Sequence, residues 1–328
     1  MSERDGTDTL RGQVALVTGG SRGLGLAIAR ELARRGVRLA ICARHREQLE
    51  RAREELGGSE VLVVACDISS RDEVEALVRQ VHERFGPIDI LVNNAGLITV
   101  GPLAAQTLAD FEECMNVMYW GMVYPTLAVL PGMRQRGRGR IANITSIGGK
   151  VAVPHLLPYC AAKFAAVGFS EGLRAELLPD GIQVTTVVPG LMRTGSHWNA
   201  QFKGDHRAEF NWFSLGATLP VVSVDGERAA RQVVRAICRG RAEVFLGPQA
   251  RLMTAAQGLF PNLMARVMAM VNRRLPRGTA TARHSGRESD TAASPSFAER
   301  LGRRAAARFN QQGPQAGAGP GAGDSSKE

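Results

Sequence analysis

With 328 residues, 44% of them hydrophobic and 22% charged, the chain has room for one large α/β domain plus an appendage, and its composition excludes a fibrous or wholly disordered protein. The formal charge of +10 is uneven: residues 251–328 hold 12 Arg or Lys against 5 Asp or Glu, so the first 250 residues are close to balance. No run of about 18 apolar residues exists to span a membrane as a helix, and no recognition motif or interleaved aromatic and basic patch points to nucleic acid.

Residues 1–11 read as a polar leader without an apolar signal core. Residues 12–249 then alternate apolar runs with amphipathic segments. Gln13–Thr18 is a short apolar run ending in glycines, hence a buried strand, and Leu24–Arg35 repeats apolar residues at helical spacing. Strands follow at Arg38–Ala43, Val61–Cys66 and Ile88–Val92, with helices at Arg46–Leu56 and Arg71–Phe85. Leu108–Arg136 reads as one long helix, Gly139–Thr145 as a strand, and Pro158–Leu178 as a helix. Ile182–Val188 is a strand, Gly226–Arg239 a helix and Glu243–Leu246 the last strand. Such repetition predicts a single α/β domain, a doubly wound Rossmann-type parallel sheet of seven strands with helices on both faces.

Three regions break the rhythm. Leu191–Val224 has no clear period and carries His197, Trp198, Phe202, Phe210, Trp212 and Phe213, as expected of a substrate lid or an irregular outer helix pair. Residues 250–275 are apolar on one face and contain no acid, and Pro261 splits them into two short helices. Packing within the protein, a dimer interface and peripheral contact with an anionic membrane are the three outcomes open to them. Residues 276–328, rich in Gly, Ala, Ser and Arg, read as a disordered basic tail. Cys42, Cys66, Cys114, Cys160 and Cys238 are scattered without metal-ligand spacing, which predicts reduced thiols in a cytoplasmic protein and no bound metal.

The first strand runs into Thr18-Gly19-Gly20-Ser21-Arg22-Gly23-Leu24-Gly25. Glycines let a backbone turn sharply and approach a pyrophosphate, and the following helix points its N–H groups and positive dipole end at that anion. The choice of dinucleotide is a matter of charge. An acid at the end of the second strand would hold a ribose 2′-hydroxyl and repel a 2′-phosphate. Here that end reads Cys42-Ala43-Arg44, with Arg22 in the turn beside it, so two arginines and no acid favour NADP(H) over NAD(H).

Downstream come Cys66-Asp67-Ile68, Asn93-Asn94-Ala95-Gly96, Ser146, Tyr159-x-x-x-Lys163 and Pro189-Gly190. With these residues in this order, residues 12–247 resemble the short-chain dehydrogenase/reductase family. The resemblance implies hydride transfer to or from nicotinamide without a metal, in a homodimer or homotetramer. It further implies that Asp67 and Ile68 border the adenine, and that Asn94, Ala95 and Gly96 line the nicotinamide ribose side. Thr18, Gly19, Ser21, Arg22, Gly23, Leu24, Gly25, Arg44, Tyr159, Lys163, Pro189, Gly190 and Thr194 complete the expected cofactor contacts.

Ser146, Tyr159 and Lys163 are the expected catalytic group. Tyr159 and Lys163 are four apart and share a helix face. A free tyrosine has a pKa near 10, and a Lys⁺ beside it, together with the cofactor's positive ring, favours the phenolate. Ser146 follows a strand end, where its hydroxyl can hold the substrate oxygen. The family usually has a fourth residue, an Asn, in the long helix; counting back from Gly121 places Met118 there, while Asn116 faces elsewhere. A methionine side chain cannot donate the hydrogen bond to a relay water, although the backbone carbonyl at 118 survives. Val151–Leu157, with Leu191, Met192, Trp198 and Phe202, makes the substrate side apolar, suiting a steroid, retinoid or lipid-like alcohol and its ketone or aldehyde. His155 is expected at the pocket edge or the surface rather than as a second base. The rival function is a catalytically slow NADP(H)-binding sensor or scaffold, motivated by Met118.

Overall fold

Seven apolar runs of four to eight residues pair side by side in parallel. The computed structural model describes residues 10–57, 61–218, 223–290 and 305–311. The strands are β1 (Val14–Thr18), β2 (Arg38–Ala43), β3 (Val61–Ala65), β4 (Ile90–Asn93), β5 (Gly139–Ile144), β6 (Ile182–Pro189) and β7 (Glu243–Leu246). Their order across the sheet is β7-β6-β5-β4-β1-β2-β3. The chain builds outward from β1 to β3 and then crosses back to β4, so the order reverses between β1 and β4. Ligands of open α/β sheets bind in the crevice at that switch.

Helices α1 (Gly23–Ala33), α2 (Arg46–Leu56) and α3 (Arg71–Phe85) follow the first three strands. Their ends are set locally. Ser70 caps α3 by accepting from the Glu73 amide, with Asp72 and Glu73 in the first turn, where acids oppose the helix dipole. Gly57 ends α2 at φ 118°, a left-handed conformation that a side chain would strain. The expected long helix after β4 is α4 (Leu108–Met115) and α5 (Gly121–Gln135), joined by a π turn over Asn116–Trp120. Then come α6 (Leu157–Leu177), α7 (His206–Thr218), α8 (Gly226–Cys238), α9 (Pro248–Leu259) and α10 (Pro261–Asn272). Predicted bounds for β2, α2, α3 and β7 coincide with the observed ones, and the other sheet elements move by one or two residues at an end.

Two apolar layers cover the sheet. Leu26, Ile28 and Leu32 of α1, Leu49 of α2 and Val233 of α8 pack on one face. Val74 and Leu77 of α3, Val129 of α5 and Leu177 of α6 pack on the other. Leu10, read as part of a polar leader, is fully buried in the first layer, because its side chain is apolar whatever its neighbours are; residues 1–9 lie outside the described residues.

Two stretches of the segment read as a disordered tail are ordered against the domain. His284–Ser285 pairs antiparallel with Gln201–Phe202, which pairs parallel with Thr99–Val100. Residues 305–308 form a helical turn whose next residue, Phe309, is 1% exposed in the first apolar layer. One buried aromatic and a series of backbone hydrogen bonds outweigh a composition that could not form a core of its own. Residues 291–304 and 312–328 lie outside the described residues.

Candidate active site

The end of β1 is tied to the end of β4. Thr18 Oγ1 accepts from the amides of Asn94 (3.0 Å) and Ala95 (3.1 Å), and Asn94 Nδ2 donates to the carbonyls of Thr18 (3.0 Å) and Gly19 (3.1 Å). Gly19 is left-handed (φ 63°), and a Cβ there would stand 2.9 Å from the Cα of Ala95. At Gly25 a Cβ would overlap the Gly19 carbonyl and the Asn94 amide, so helix α1 can start against the turn only as glycine. Thr18, Gly19, Ser21, Gly23, Leu24, Gly25, Asn94 and Ala95 therefore form one structure at the switch point.

The arginines converge beside it. Arg22 caps α1 and donates to Asn199 Oδ1 (2.9 Å). Burial, then the charges of Arg44 and Arg287, push its guanidinium below its ordinary value. Asp67 accepts from the amide (2.9 Å) and hydroxyl (2.7 Å) of Ser69. Against its burial, these bonds and Arg44 hold its carboxyl below the usual range. Three arginines thus gather beside a helix start, a setting that suits an anion. Ile68 turns its side chain into the core, where a Cβ on Gly121 would meet it at 2.8 Å.

The expected catalytic group lies further along the same sheet edge. Ser146, just past β5, accepts from the Gly148 amide (3.0 Å), and its hydroxyl acts on the nearby Tyr159 phenol. Lys163, one turn along α6, donates to the Ile144 carbonyl (2.9 Å) with its Nζ 5.9 Å from the Tyr159 ring centre. Burial brings the Lys163 ammonium down to about 8, and burial pushes the Tyr159 phenol well up, with Ser146 pulling the other way. Within the protein the cost of burying a phenolate dominates at Tyr159.

Met118 sits in the π turn at 1% exposure, clustered with Cys114 and Ala162 beside Tyr159 and 3.7 Å from where a Gly96 Cβ would be. Asn116 is exposed, so it takes no part in this cluster. Beneath the site a buried polar chain crosses the sheet. Asn93 Nδ2 donates to Thr126 (3.0 Å) and to Asn143 (2.9 Å), whose own amide donates to Ser170 (3.0 Å).

The apolar side differs from expectation. Val100, Leu156, Cys160, Phe202, Phe210 and Phe213 form a buried cluster, with Ile98, Val153, Tyr159, Trp198 and Trp212 partly exposed around it. Phe202 is fully buried and supports the wall rather than lining it, and Met192 packs into the layer under α1 and α8. Leu191–Arg193 pairs with Ser223–Asp225, and the aromatic loop holds a single long helix, α7, with residues 219–222 outside the described ones. His155 is buried rather than at an edge; its Nδ1 lies 2.7 Å from Glu209, which also accepts from the Trp212 indole (2.6 Å). Glu209 had no signal at sequence level, being one acid in an aperiodic stretch.

Two further contacts were not legible. Fully buried Asp110 accepts from Lys203 (2.5 Å) and Arg283 (2.6 Å), which against burial hold its carboxyl down to about 2. The glycine turn itself is strapped: the Gly23 amide donates to the Phe309 carbonyl (2.8 Å), and Asn310 Nδ2 donates to the carbonyls of Ser21 (2.8 Å) and Gln48 (3.1 Å). Asn199 donates to Gln311 Oε1 (2.6 Å), and Arg287 bonds the Gln311 carbonyl. Thr194, Pro189 and Gly190 stand at and just past the end of β6, Thr194 buried beside Phe309.

Comparison with known proteins agrees with this geometry. The family model described as short chain dehydrogenase matches residues 13–203. A Streptomyces coelicolor protein named as a ketoacyl reductase is 45% identical over 188 residues, 56% of this chain and 71% of its own. The 11-beta-hydroxysteroid dehydrogenase A of Sesamum indicum is 36% identical over 248 residues, 73% of this chain and 69% of its own. The crystal structure of a short-chain dehydrogenase from Streptomyces avermitilis superposes with a TM-score of 0.70 at 28% identity, covering 83% of this chain and 99% of that one.

Proposed function

The chain belongs to the short-chain dehydrogenase family, and on that footing we propose that it is an NADP(H)-dependent oxidoreductase interconverting a hydrophobic alcohol and its ketone or aldehyde. The observation that carries the reading is Lys163 Nζ 5.9 Å from the Tyr159 ring, held there by the Ile144 carbonyl, with the Ser146 hydroxyl acting on the same phenol. A bound nicotinamide dinucleotide supplies or takes up the hydride. Burial keeps the proton on Tyr159 Oη at neutral pH, so the phenol stands ready to donate it to a substrate oxygen. The Ser146 hydroxyl, beside the phenol, orients that oxygen. Lys163, still largely charged at pH 7, favours the phenolate left behind. In the opposite direction Tyr159 accepts the proton from the alcohol.

Arg22, Arg44 and Arg287 would hold a 2′-phosphate, which supports NADP(H). The partly exposed Ile98, Val153, Trp198 and Trp212 around Tyr159 support an apolar substrate of steroid, retinoid or lipid type. Ketoacyl and hydroxysteroid substrates in the names of relatives agree with a carbonyl or alcohol of that kind. One observation favours a second reading, a slow NADP(H)-binding sensor: Met118 places a thioether where a relay water would need a donor. The π turn over Asn116–Trp120 alters the backbone ladder at Met118, and a backbone carbonyl there would hold that water instead. The test is NADPH oxidation over a panel of hydrophobic ketones, with Tyr159→Phe as control. Ketone-dependent oxidation lost in Tyr159→Phe supports the enzyme. NADPH binding without oxidation for any ketone favours the sensor.

A further inference from the structure

Helices α9 and α10 leave most of their apolar surface bare. Only Ala250 of α9 is buried, and α10 buries no residue. Leu252 is 70% exposed, Leu259 72%, Phe260 58% and Leu263 57%. At roughly 100° per residue, Leu263, Val267, Met270 and Val271 fall within one stripe of α10 about 100° wide. Arg266 lies at one edge of that stripe, Arg273 caps the helix on the same side, and Arg274 follows beyond the helix end. Residues 248–275 contain Arg251, Arg266, Arg273 and Arg274 and no carboxylate.

We propose that α9 and α10 are a platform that lies on an anionic lipid surface. Each helix has 12 residues, too few to cross a bilayer, and among the described residues no helix is long and apolar enough to do so. An apolar stripe edged by cations suits the boundary between lipid headgroups and acyl chains. A second copy of this chain is the less suitable occupant, since a two-fold contact would set the same arginines against each other with no acid between them. The charge extends beyond the helices. A groove at the base of α9 is lined by Arg193, Arg228, Arg241 and Arg251; its two carboxylates are engaged, Asp225 in capping α8 and Glu243 with Lys150. The platform abuts β7 and the turn Ile147–Gly149 that follows Ser146, so a lipid-soluble substrate would leave the membrane next to the active site.

The experiment is vesicle flotation with the full chain, comparing phosphatidylcholine alone with phosphatidylcholine containing phosphatidylglycerol. The double variant Leu259→Asp/Leu263→Asp alters only exposed positions; its melting temperature and NADPH binding report that the fold is kept. Wild type should partition onto the anionic vesicles at least roughly tenfold more strongly than the variant, and added salt should weaken that partitioning. Equal partitioning of wild type and variant, equal partitioning onto both vesicle types, or none at all would overturn the proposal. So would a dimer in size-exclusion chromatography that the variant dissociates, without vesicle binding, which would assign the stripe to a second copy.

Discussion

Replacing Phe309 by alanine should release the strap on the glycine turn without unfolding the domain. The phenyl group is 1% exposed and its loss costs about 4 kcal/mol of burial. The hydrogen bonds that Arg308, Phe309, Asn310 and Gln311 make with Gly23, Arg30, Ser21, Gln48, Arg51 and Asn199 add roughly 7 kcal/mol at about 1 each. Ordering the backbone of Ala305–Gln311 opposes this by about 7–14 kcal/mol. The two sides nearly cancel, so docking is marginal and the anchor decides it. Phe309→Ala should therefore speed hydrogen exchange at the Gly23 amide and open the segment to proteolysis. The melting temperature should fall by only a few degrees, because the rest of the sheet does not depend on these residues. Unchanged exchange at Gly23 would refute the strap. A fall of more than about 10 °C would show instead that Phe309 is integral to the core.

The remaining predictions concern charge and proton flow. Arg22→Ala and Arg44→Ala should each erode a preference for NADPH over NADH of about tenfold or more, since charge-assisted bonds contribute roughly 1.5–3 kcal/mol; equal kcat/KM for the two cofactors in the wild type would contradict the assignment. Met118→Asn should raise kcat if the thioether impedes the proton relay, and an unchanged kcat would leave the backbone carbonyl as the sufficient water ligand. Burial holds His197 down to about 4, so its folded form prefers to be neutral. The stability this represents is complete above the unfolded value near 6.5 and is lost as pH falls from there towards 4, by an amount on the order of 3 kcal/mol. Urea titrations of wild type and His197→Asn across that range should differ in slope, and parallel curves would exclude His197 as the cause.

The elements of the sheet were legible because their signal is local. Apolar runs such as Val14–Thr18, bounded by turn residues, and an amphipathic stretch such as Arg71–Phe85 carry their periods within one window. The glycine turn was legible for the same reason, with every glycine within seven residues of Thr18. Met118 was also placed by spacing, although nothing in the spacing announces a π turn, which depends on how the helix meets α6 and the Asn94–Gly96 loop. Phe202 and Met192 were misplaced because an apolar residue after a strand end fits a pocket wall and a core equally well. Only the packing of Phe210 and Phe213 on the first, and of the α1 layer on the second, separates the cases.

The tail is the instructive failure, and its cause is physical. Ala305–Gln311 has too few apolar residues to fold by itself, and composition answers only that question. Docking asks whether the domain offers a matching cavity and unpaired backbone groups, and both lie nearly 300 residues upstream. Gly23 and Ser21 belong to the start of α1, where amides and carbonyls lack helical partners. That deficit is what an anion exploits in this fold, and it is equally open to the chain's own carbonyls and amides. Arg283 on Asp110 adds an ion pair, and Ser285 against Gln201 a strand pairing, that hold the other stretch to α4 and the aromatic loop. The stretch through Phe309 therefore settles on groups at the start of α1 that the helix itself leaves unpaired.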